Sequence, residues 1–560
     1  MCVMASGYRL EGAGPPPRHG CSLRWRHTRD SREVIVLALE AIVAIGVILV
    51  VAAVAAPRLR IPLALVQVAA GVLLGFIPAL RDVQLPSEAV LLLFLPAILF
   101  WESVTTSLRE SRRYVRVILL NGTVLVVLTA FAVAGVGVWF GMPWAVALVM
   151  GAALAPTDAT AVGNLAAGLP LRQRTLLRAE SLINDGTALV IFGLAVSVAA
   201  GVAQFTPWSV TWALAVSYLG GIAIGLAVGF IGSYLRRMSN TLASNVAMIV
   251  TPFVAFLVAE LIHASGVLAV VVCGLLMSQR GARIARAEAR DQARSFWTLT
   301  TYILNGALFV LIGLELQVVV RALPSGDLWF GVLLGLIVWL ALIVVRMAFT
   351  FAATGVIRTL DRRPYQRTLR APTRALVMNA FAGYRGAVSL AAALAIPLSV
   401  VGGGPFPMRN LIVFVTAVVI VLTLAVQGPL FPALVRWARL PADSVEDERL
   451  LAQTESTRAG LAALPGLAAS LGVDDDVRDK VAREAERHLA ALEVDGETQD
   501  GAETARAKEQ YVRLRLALMQ VKRETVLRLR DERRIDDTVV RAVGAQLDLE
   551  ELRITGREVE

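Results

Sequence analysis

The chain has almost no lysine: Lys480, Lys508 and Lys522 are the three in 560 residues, and none precedes residue 441. Arginine is therefore the only fixed cation before that point, and a guanidinium is not expected to give up its proton. Cysteine is as scarce, with Cys2 and Cys21 in the first 33 residues and Cys273 inside an apolar run. Neither a disulfide framework nor a metal-ligand spacing can be read from three cysteines so placed.

What fills the chain instead is apolar. It is 56% hydrophobic with a mean hydropathy of +0.66, against about 45–50% apolar usage in soluble proteins. The apolar residues come in blocks of roughly 18 or more, the length that crosses ~30 Å of hydrocarbon, and the charges gather between them. Thirteen such spans can be marked, at 34–56, 62–80, 88–106, 115–140, 144–167, 181–203, 209–235, 242–263, 265–279, 297–320, 328–357, 375–401 and 408–437. The sequence thus predicts an all-α polytopic membrane protein of about 13 transmembrane helices.

The formal net charge of +10 divides unevenly. Residues 1–440 hold 35 Lys and Arg against 17 Asp and Glu, while residues 441–560 hold 19 against 27. A basic chain can signal nucleic acid, but these arginines sit in short loops beside apolar spans, where they set topology; no nucleic-acid partner is expected. Loops after the odd-numbered spans, with the span edges, hold 22 arginines, from Arg58 and Arg60 to the six between Arg358 and Arg374; those after the even-numbered spans hold Arg81, Arg321 and Arg409. Positive residues collect on the cytoplasmic side. The expected arrangement is a multi-pass protein of the cell (inner) membrane, surrounded by lipid, with the N-terminus outside and the C-terminus in the cytoplasm.

Residues 1–33 run against that pattern, because they would place six arginines, from Arg9 to Arg32, outside. With Gly12, Gly14 and Pro15 to Pro17 the segment has no means of building a core. No apolar run with a small-residue cleavage site precedes the first span. It reads as a disordered leader or as sequence upstream of the true start. Residues 34–440 make the transmembrane domain. From 441 the pattern changes to alternating charge with leucine and alanine at helical spacing, as in 483–492 and 511–530, and predicts a cytoplasmic helical domain over 441–560.

A charge inside a span costs about 2.5–3.5 kcal/mol by insertion scales unless it meets water or a partner, so the few present are informative. Asp158 lies mid-span in Ala155-Pro156-Thr157-Asp158-Ala159-Thr160, where Pro156 removes a backbone donor and clashes with the preceding turn. The helix is expected to unwind there, exposing carbonyls and half-helix ends of the kind that make cation sites in secondary transporters. Span 6 opens with Glu180-Ser181-Leu182-Ile183-Asn184-Asp185-Gly186. Helical spacing sets Ser181 with Asp185 on one face and Glu180 with Asn184 on the next. A carboxylate, a hydroxyl and unwound carbonyls suit a hard cation such as Na+. Desolvation favours the neutral form of a buried carboxylate, so protons can compete for the same group.

A second break is expected in span 12, where Gly383-Tyr384-Arg385-Gly386 interrupts an apolar helix. It falls seven spans after the first. An odd offset makes the two crossing helices run in opposite directions, the mark of inverted repeats, with spans 1–6 related to 8–13 and span 7 as the link. Arg346, midway along span 11, needs a counter-ion, for which Glu180 is the choice; Arg385 neutralises the unwound crossing. Glu40, Glu260 beside His263, and Glu315 sit towards span ends, where snorkelling or helix pairing accounts for them. Glu102 lies deeper and could face the cation path.

These segments together, Pro156-Thr157-Asp158, Glu180 to Gly186, Ser265 to Val272, Leu311-Ile312-Gly313-Leu314-Glu315 and Tyr384-Arg385-Gly386-Ala387, resemble the monovalent cation:proton antiporters, in the electroneutral sodium/proton exchanger branch. The resemblance covers about residues 34–437. Electrogenic relatives carry two aspartates where this chain has Asn184-Asp185, and commonly a lysine where it has Arg346, so the resemblance implies exchange of one cation for one proton. It further implies Asp185 as the principal carrier of ion and proton, Na+ held by Asp185, Asp158, Thr157 through its carbonyl, and Ser181, a Glu180–Arg346 pair, and Glu102 reaching the ion through water. A homodimer is implied, with a moving core of spans 4–6 and 11–13 working by alternating access against a dimerisation domain. No cofactor is implied; Na+ and H+ are the transported species, and pH homeostasis the setting. Residues 157–160 lack the proline or serine often found after the aspartate, which leaves Na+, Li+ and K+ open.

Three other readings compete. One is K+/H+ exchange, since site size is not legible in a sequence. Another is an intramembrane aspartyl protease using Asp158 and Asp185, which needs two carboxylates sharing a proton, although no Gly-x-Gly-Asp segment accompanies either. The third is a passive channel.

Overall fold

The computed structural model describes residues 31–59, 61–77, 90–106, 114–158, 169–202, 207–238, 240–284, 286–360, 372–400, 403–440, 445–497, 502–532, 534 and 537–555. The leader expected over 1–33 lies outside the described residues up to 30; residues 31–33 open the first helix. No strand occurs among the described residues, as hydrocarbon requires of an apolar chain that does not close into a barrel: each backbone N–H and C=O must find its partner within its own segment.

Helices α1 (Ser31–Leu59) and α2 (Leu63–Leu74) come first; a π-helical turn at Val90–Phe94 then runs into α3 (Leu95–Thr105). Next are α4 (Val115–Trp139), which carries a π-helical stretch at Leu120–Leu125, the short α5 (Trp144–Leu154) and α6 (Leu171–Ala199). After these come α7 (Pro207–Met238), α8 (Thr241–Leu261), α9 (Gly266–Ile284), α10 (Ala287–Ala322) and α11 (Ser325–Leu360). Two very short helices, α12 (Thr373–Phe381) and α13 (Ala387–Leu394), precede α14 (Arg409–Ala438), which has a π-helical turn at Thr423–Gln427.

Among the described residues eight helices, α1, α4, α6, α7, α8, α10, α11 and α14, are long and apolar enough to cross a membrane. Four shorter apolar helices fall in α2, α3, α5 and α9. The expected ends shift in several places. The sixth span was placed at 181 but its helix begins at Leu171, and the tenth at 297 but its helix begins at Ala287. Polar residues at both starts hide a helix that continues beyond the apolar run. Proline marks some of these starts: α2, α5, α6 and α12 each follow directly on Pro62, Pro143, Pro170 or Pro372 in an extended conformation. Proline fixes φ and has no N–H to leave unsatisfied at a helix entrance.

Chain length decides which elements can span. At 1.5 Å per residue α10 and α11, of 36 residues each, reach about 54 Å, well over the hydrocarbon depth, whereas α5, α12 and α13, of 11, 9 and 8 residues, reach only about 12–17 Å. Each of these three is therefore too short to cross the hydrocarbon by itself.

Packing is closest where glycines face backbone. A Cβ on Gly71 of α2 would overlap the Val310 carbonyl of α10, and one on Gly313 of α10 would overlap the Val68 carbonyl of α2, the small-residue contact by which apolar helices approach each other without a solvent-driven force. The largest core is made by α4, α5, α6, α11, α13 and α14, with Leu148, Ala188, Leu334, Ala393 and Ile412 wholly or almost wholly buried. A second core joins α3, α8 and α9 to α10, where Phe100 and Trp101 of α3 contact the ring of Trp297 at 5.3 and 6.1 Å. The outer faces are apolar as well, with Val47, Leu219, Leu257 and Val344 exposed, the surface expected to meet lipid and not water.

The chain divides into two compact units, residues 1–442 and 443–560. The second is two helix pairs: α15 (Val445–Leu471) with α16 (Asp475–Glu497), and α17 (Ala502–Asp531) with α18 (Asp537–Thr555). Met519 and Leu547 are buried in it. Arg523 pairs with Asp548 and Glu551, and Lys522 with Glu550 at 3.2 Å; such half-exposed pairs contribute about 0–1 kcal/mol each.

Candidate functional site

Helix α5 stops at Leu154 because Pro156 cannot continue it, and residues 155–158 leave the helix. On the other strand of the crossing α12 stops at Phe381, residues 383–386 are non-helical, and α13 starts at Ala387. The two breaks are bonded to each other. The Asp158 N–H donates to the Tyr384 carbonyl at 2.8 Å. The Ala387 N–H, at the first turn of α13, donates to Asp158 Oδ2 at 3.3 Å. Arg385 Nε donates to the Leu154 carbonyl at 3.1 Å, on the last turn of α5, and Nη1 to the Gly383 carbonyl at 2.6 Å. An anion thus meets the positive end of one half-helix and a cation the negative end of the other. Gly386 makes this possible, because a Cβ there would overlap the Asp158 carboxylate.

Helix α6 supplies the second wall. Ser181 Oγ donates to the Thr157 carbonyl at 2.8 Å, and Asn184 Nδ2 to Thr157 Oγ1 at 2.5 Å, so the unwound segment is tied to α6 by two side chains one turn apart. Glu180, on the neighbouring face, stands 2.5 Å from Arg346 Nη1 of α11 and accepts from Asn121 Nδ2 of α4 at 2.8 Å. Arg346 Nε also donates to the Asn379 carbonyl in the last turn of α12, at 3.1 Å. Both partners of this ion pair are only 5–7% exposed. Removing one side of such a pair costs about 3–5 kcal/mol, since the other is left as a buried charge.

Glu102, Asp158, Ser181, Asp185 and Asn305 line one cavity, in company with Phe94, Leu95, Ile98, Leu99, Leu308, Ala387, Val388 and Ala391. It measures about 20 Å³ for the centre of a water-sized sphere, room for about one water or one small ion. Asp185 is 2% exposed, and its Oδ1 has no hydrogen-bond partner among the described residues; nor has Asn184 Oδ1. A buried oxygen without a donor is costly, and a cation or a proton relieves it. Thr157, Asn184, Glu180, Arg346 and Arg385 are not among the described residues that line the cavity: they hold its walls.

Three amides of this region, Asn305, Gln427 and Asn121, were not singled out in the sequence, and Tyr384 entered only as part of a motif. Asn305 interrupts the apolar run of α10. Gln427 lies in the π-helical turn of α14, where its Nε2 donates to the Phe381 carbonyl at 2.7 Å and its Oε1 accepts from Trp339 Nε1 at 3.2 Å. Its own carbonyl accepts from Tyr384 Oη at 3.0 Å. Asn121 occupies the π-helical stretch of α4. An amide inside an apolar span was the available signal, because it needs a partner as a charge does. Tyr384, wholly buried, gave none beyond its glycine neighbours. Of the weaker acids, Glu40 is exposed and Glu315 half-buried. Glu260 Oε1 accepts from the Gly266 N–H at the start of α9, at 3.2 Å.

The family described as sodium/hydrogen exchanger, transmembrane, matches residues 45–437. An uncharacterised Na+/H+ exchanger of Mycobacterium tuberculosis is 42% identical over 93% of this chain and 96% of its own length. A sodium, potassium, lithium and rubidium/H+ antiporter of Bacillus pumilus is 31% identical over 67% of this chain and 58% of its own. Among solved structures, the sodium proton antiporter of Methanocaldococcus jannaschii at pH 8 superposes with a TM-score of 0.54 at 18% identity, covering 70% of this chain and 99% of that one, and so shares the fold. The broken crossing with its carboxylate-lined cavity falls inside the matched stretch, and the chain belongs to the sodium/hydrogen exchanger family, cation/proton antiporters and not proteases.

Proposed function

We propose that the protein exchanges Na+ for H+, one for one, across the cell membrane. The observation that carries this is Asp185: a carboxylate buried in a cavity of ionic size, one oxygen unpartnered among the described residues, beside the Asp158 crossing. Asp185 takes a cation or a proton, never both, because each satisfies the same oxygen. Asp158 and Ser181 complete the oxygen set, the Thr157 carbonyl joins it at the unwound segment, and Glu102 contributes through water. Asn184 is neutral where a second aspartate would add a charge, which supports electroneutral exchange.

In this reading thirteen crossings, related as inverted repeats of spans 1–6 and 8–13, form a homodimer with the N-terminus outside and residues 441–560 in the cytoplasm. Alternating access moves the half-helices with their charges paired, so no bare helix end is exposed during the stroke. Glu180 and Arg346 act as structural partners, and Arg385 as the counter-charge of the crossing.

A wider cation set is supported by the Bacillus relative, whose name includes potassium, lithium and rubidium. The experiment is exchange in proteoliposomes: an imposed pH gradient drives Na+, Li+ or K+ in separate assays, at zero and at applied membrane potential. Na+ flux coupled to H+ and insensitive to potential is the expected outcome. Uncoupled, passive cation flux overturns the proposal in favour of a channel, and K+ without Na+ flux in favour of K+/H+ exchange.

A further inference from the structure

The residues so far given a role at the cavity come from α3, the α5 break and α6, and none of them from α10. Asp158, Ser181 and Asp185 come from the α5 break and from α6. Helix α10 also lines the cavity, and there it is apolar around a single amide: Asn305 lies between Leu304 and Leu308, and Leu308 packs with Ile98, Ala387 and Ala391 in a small apolar cluster. Among the described lining residues the polar ones are Glu102, Asp158, Ser181, Asp185 and Asn305. Asn305 is thus the neutral amide of the set, and its carboxamide makes no hydrogen bond to another described residue.

An amide placed in an apolar transmembrane wall is unfavourable unless it is satisfied. The cavity, with room for about one water, is too small for a cation with its full hydration shell. An ion that enters must exchange waters for protein oxygens, and the leucines and isoleucine of the lining offer none. The carboxamide oxygen of Asn305 is the hard, uncharged donor available from α10.

We propose that Asn305 is a cation ligand supplied by α10 to the cavity it shares with Asp185, and that it sets which monovalent cation the site prefers. Because the amide carries no charge, it strengthens cation binding without adding a proton acceptor. It therefore separates recognition of the metal from recognition of the proton, which both meet at Asp185. This assignment rests on the exchange reading above and names the specificity element of the same site.

The test is Asn305→Ala in the full-length protein in proteoliposomes, with KM and maximal rate measured for Na+, Li+ and K+ at several pH values. The expected result is a rise of about 5–10-fold in the cation KM, the effect of one lost neutral ligand. The increase should differ among the three cations, the maximal rate should stay within about two-fold, and the pH dependence at saturating cation should not move. Asn305→Asp, which retains an oxygen ligand but adds a charge, should restore a low cation KM and shift the pH profile. An amide that merely ties helices predicts otherwise: lower melting temperature and maximal rate, with the ratio of KM between cations unchanged, and that result overturns the assignment. Should Asn305→Ala not fold, Asn305→Ser is measured in the same way with the same two outcomes. A wild-type protein that exchanges none of the three cations overturns the exchange reading itself; wild-type exchange with an unchanged KM ratio in the variants overturns the Asn305 assignment alone.

Discussion

The main-chain N–H of Asp158 donates to the carbonyl of Tyr384 at 2.8 Å, joining two helix breaks that lie 226 residues apart. Each break leaves a helix end with unsatisfied groups, and the partner break supplies what it lacks: the Asp158 carboxylate for the start of α13, the Arg385 guanidinium for the end of α5. The crossing is a unit in which neither half can be altered alone.

Asp185→Asn should abolish exchange while leaving the protein folded. The amide is nearly isosteric but cannot alternate between a proton and a cation. Exchange in proteoliposomes at least ~100-fold below wild type, with an unchanged elution profile in detergent, is expected; retained pH-driven cation flux would sink the carrier role.

Arg346→Ala should act on stability. It strands the Glu180 carboxylate, buried and left with Asn121 as its described donor, at a cost of about 3–5 kcal/mol. Glu180→Gln on that background should recover much of the loss in a thermal unfolding assay, because it removes the stranded charge. A double variant no more stable than Arg346→Ala contradicts the pairing.

Gly386→Ala should impair exchange severely, since the new methyl overlaps the Asp158 carboxylate and must displace it. Gly355→Ala, where a Cβ meets nothing within 4 Å, is the matched control and should be silent in both flux and stability. Equal behaviour of the two variants removes the steric argument.

Gln427→Leu should destabilise by about 1–3 kcal/mol, because it leaves the Phe381 carbonyl and the Trp339 N–H without their shared partner. The cation KM should be unaffected, as Gln427 is not among the described residues lining the cavity. A shifted KM with normal melting would assign it instead to the ion path.

Much of the site was legible because membrane depth makes polar residues conspicuous. Asp158 after Pro156, the Glu180 to Asp185 segment and the glycines around Arg385 stand out against apolar neighbours for that reason alone. Asn305, Gln427 and Asn121 obey the same rule, yet a neutral amide contrasts less with its surroundings than a charge does. The helix starts at Leu171 and Ala287 were missed because hydropathy reports where lipid begins, not where the backbone hydrogen-bonding ladder begins.

The sequence by itself determined the membrane class, through the length and spacing of its apolar runs, and marked the breaks, through proline and glycine. The Glu180 partner of Arg346 was already expected from the sequence and is found in the structure, but only the tertiary structure decided that the two breaks meet, that Arg346 also reaches the end of α12, and that Asn305 shares a cavity with Asp185. Those are matters of distance between residues remote in the chain, and periodicity along a sequence reports the faces of a helix without saying which other helix each face will find.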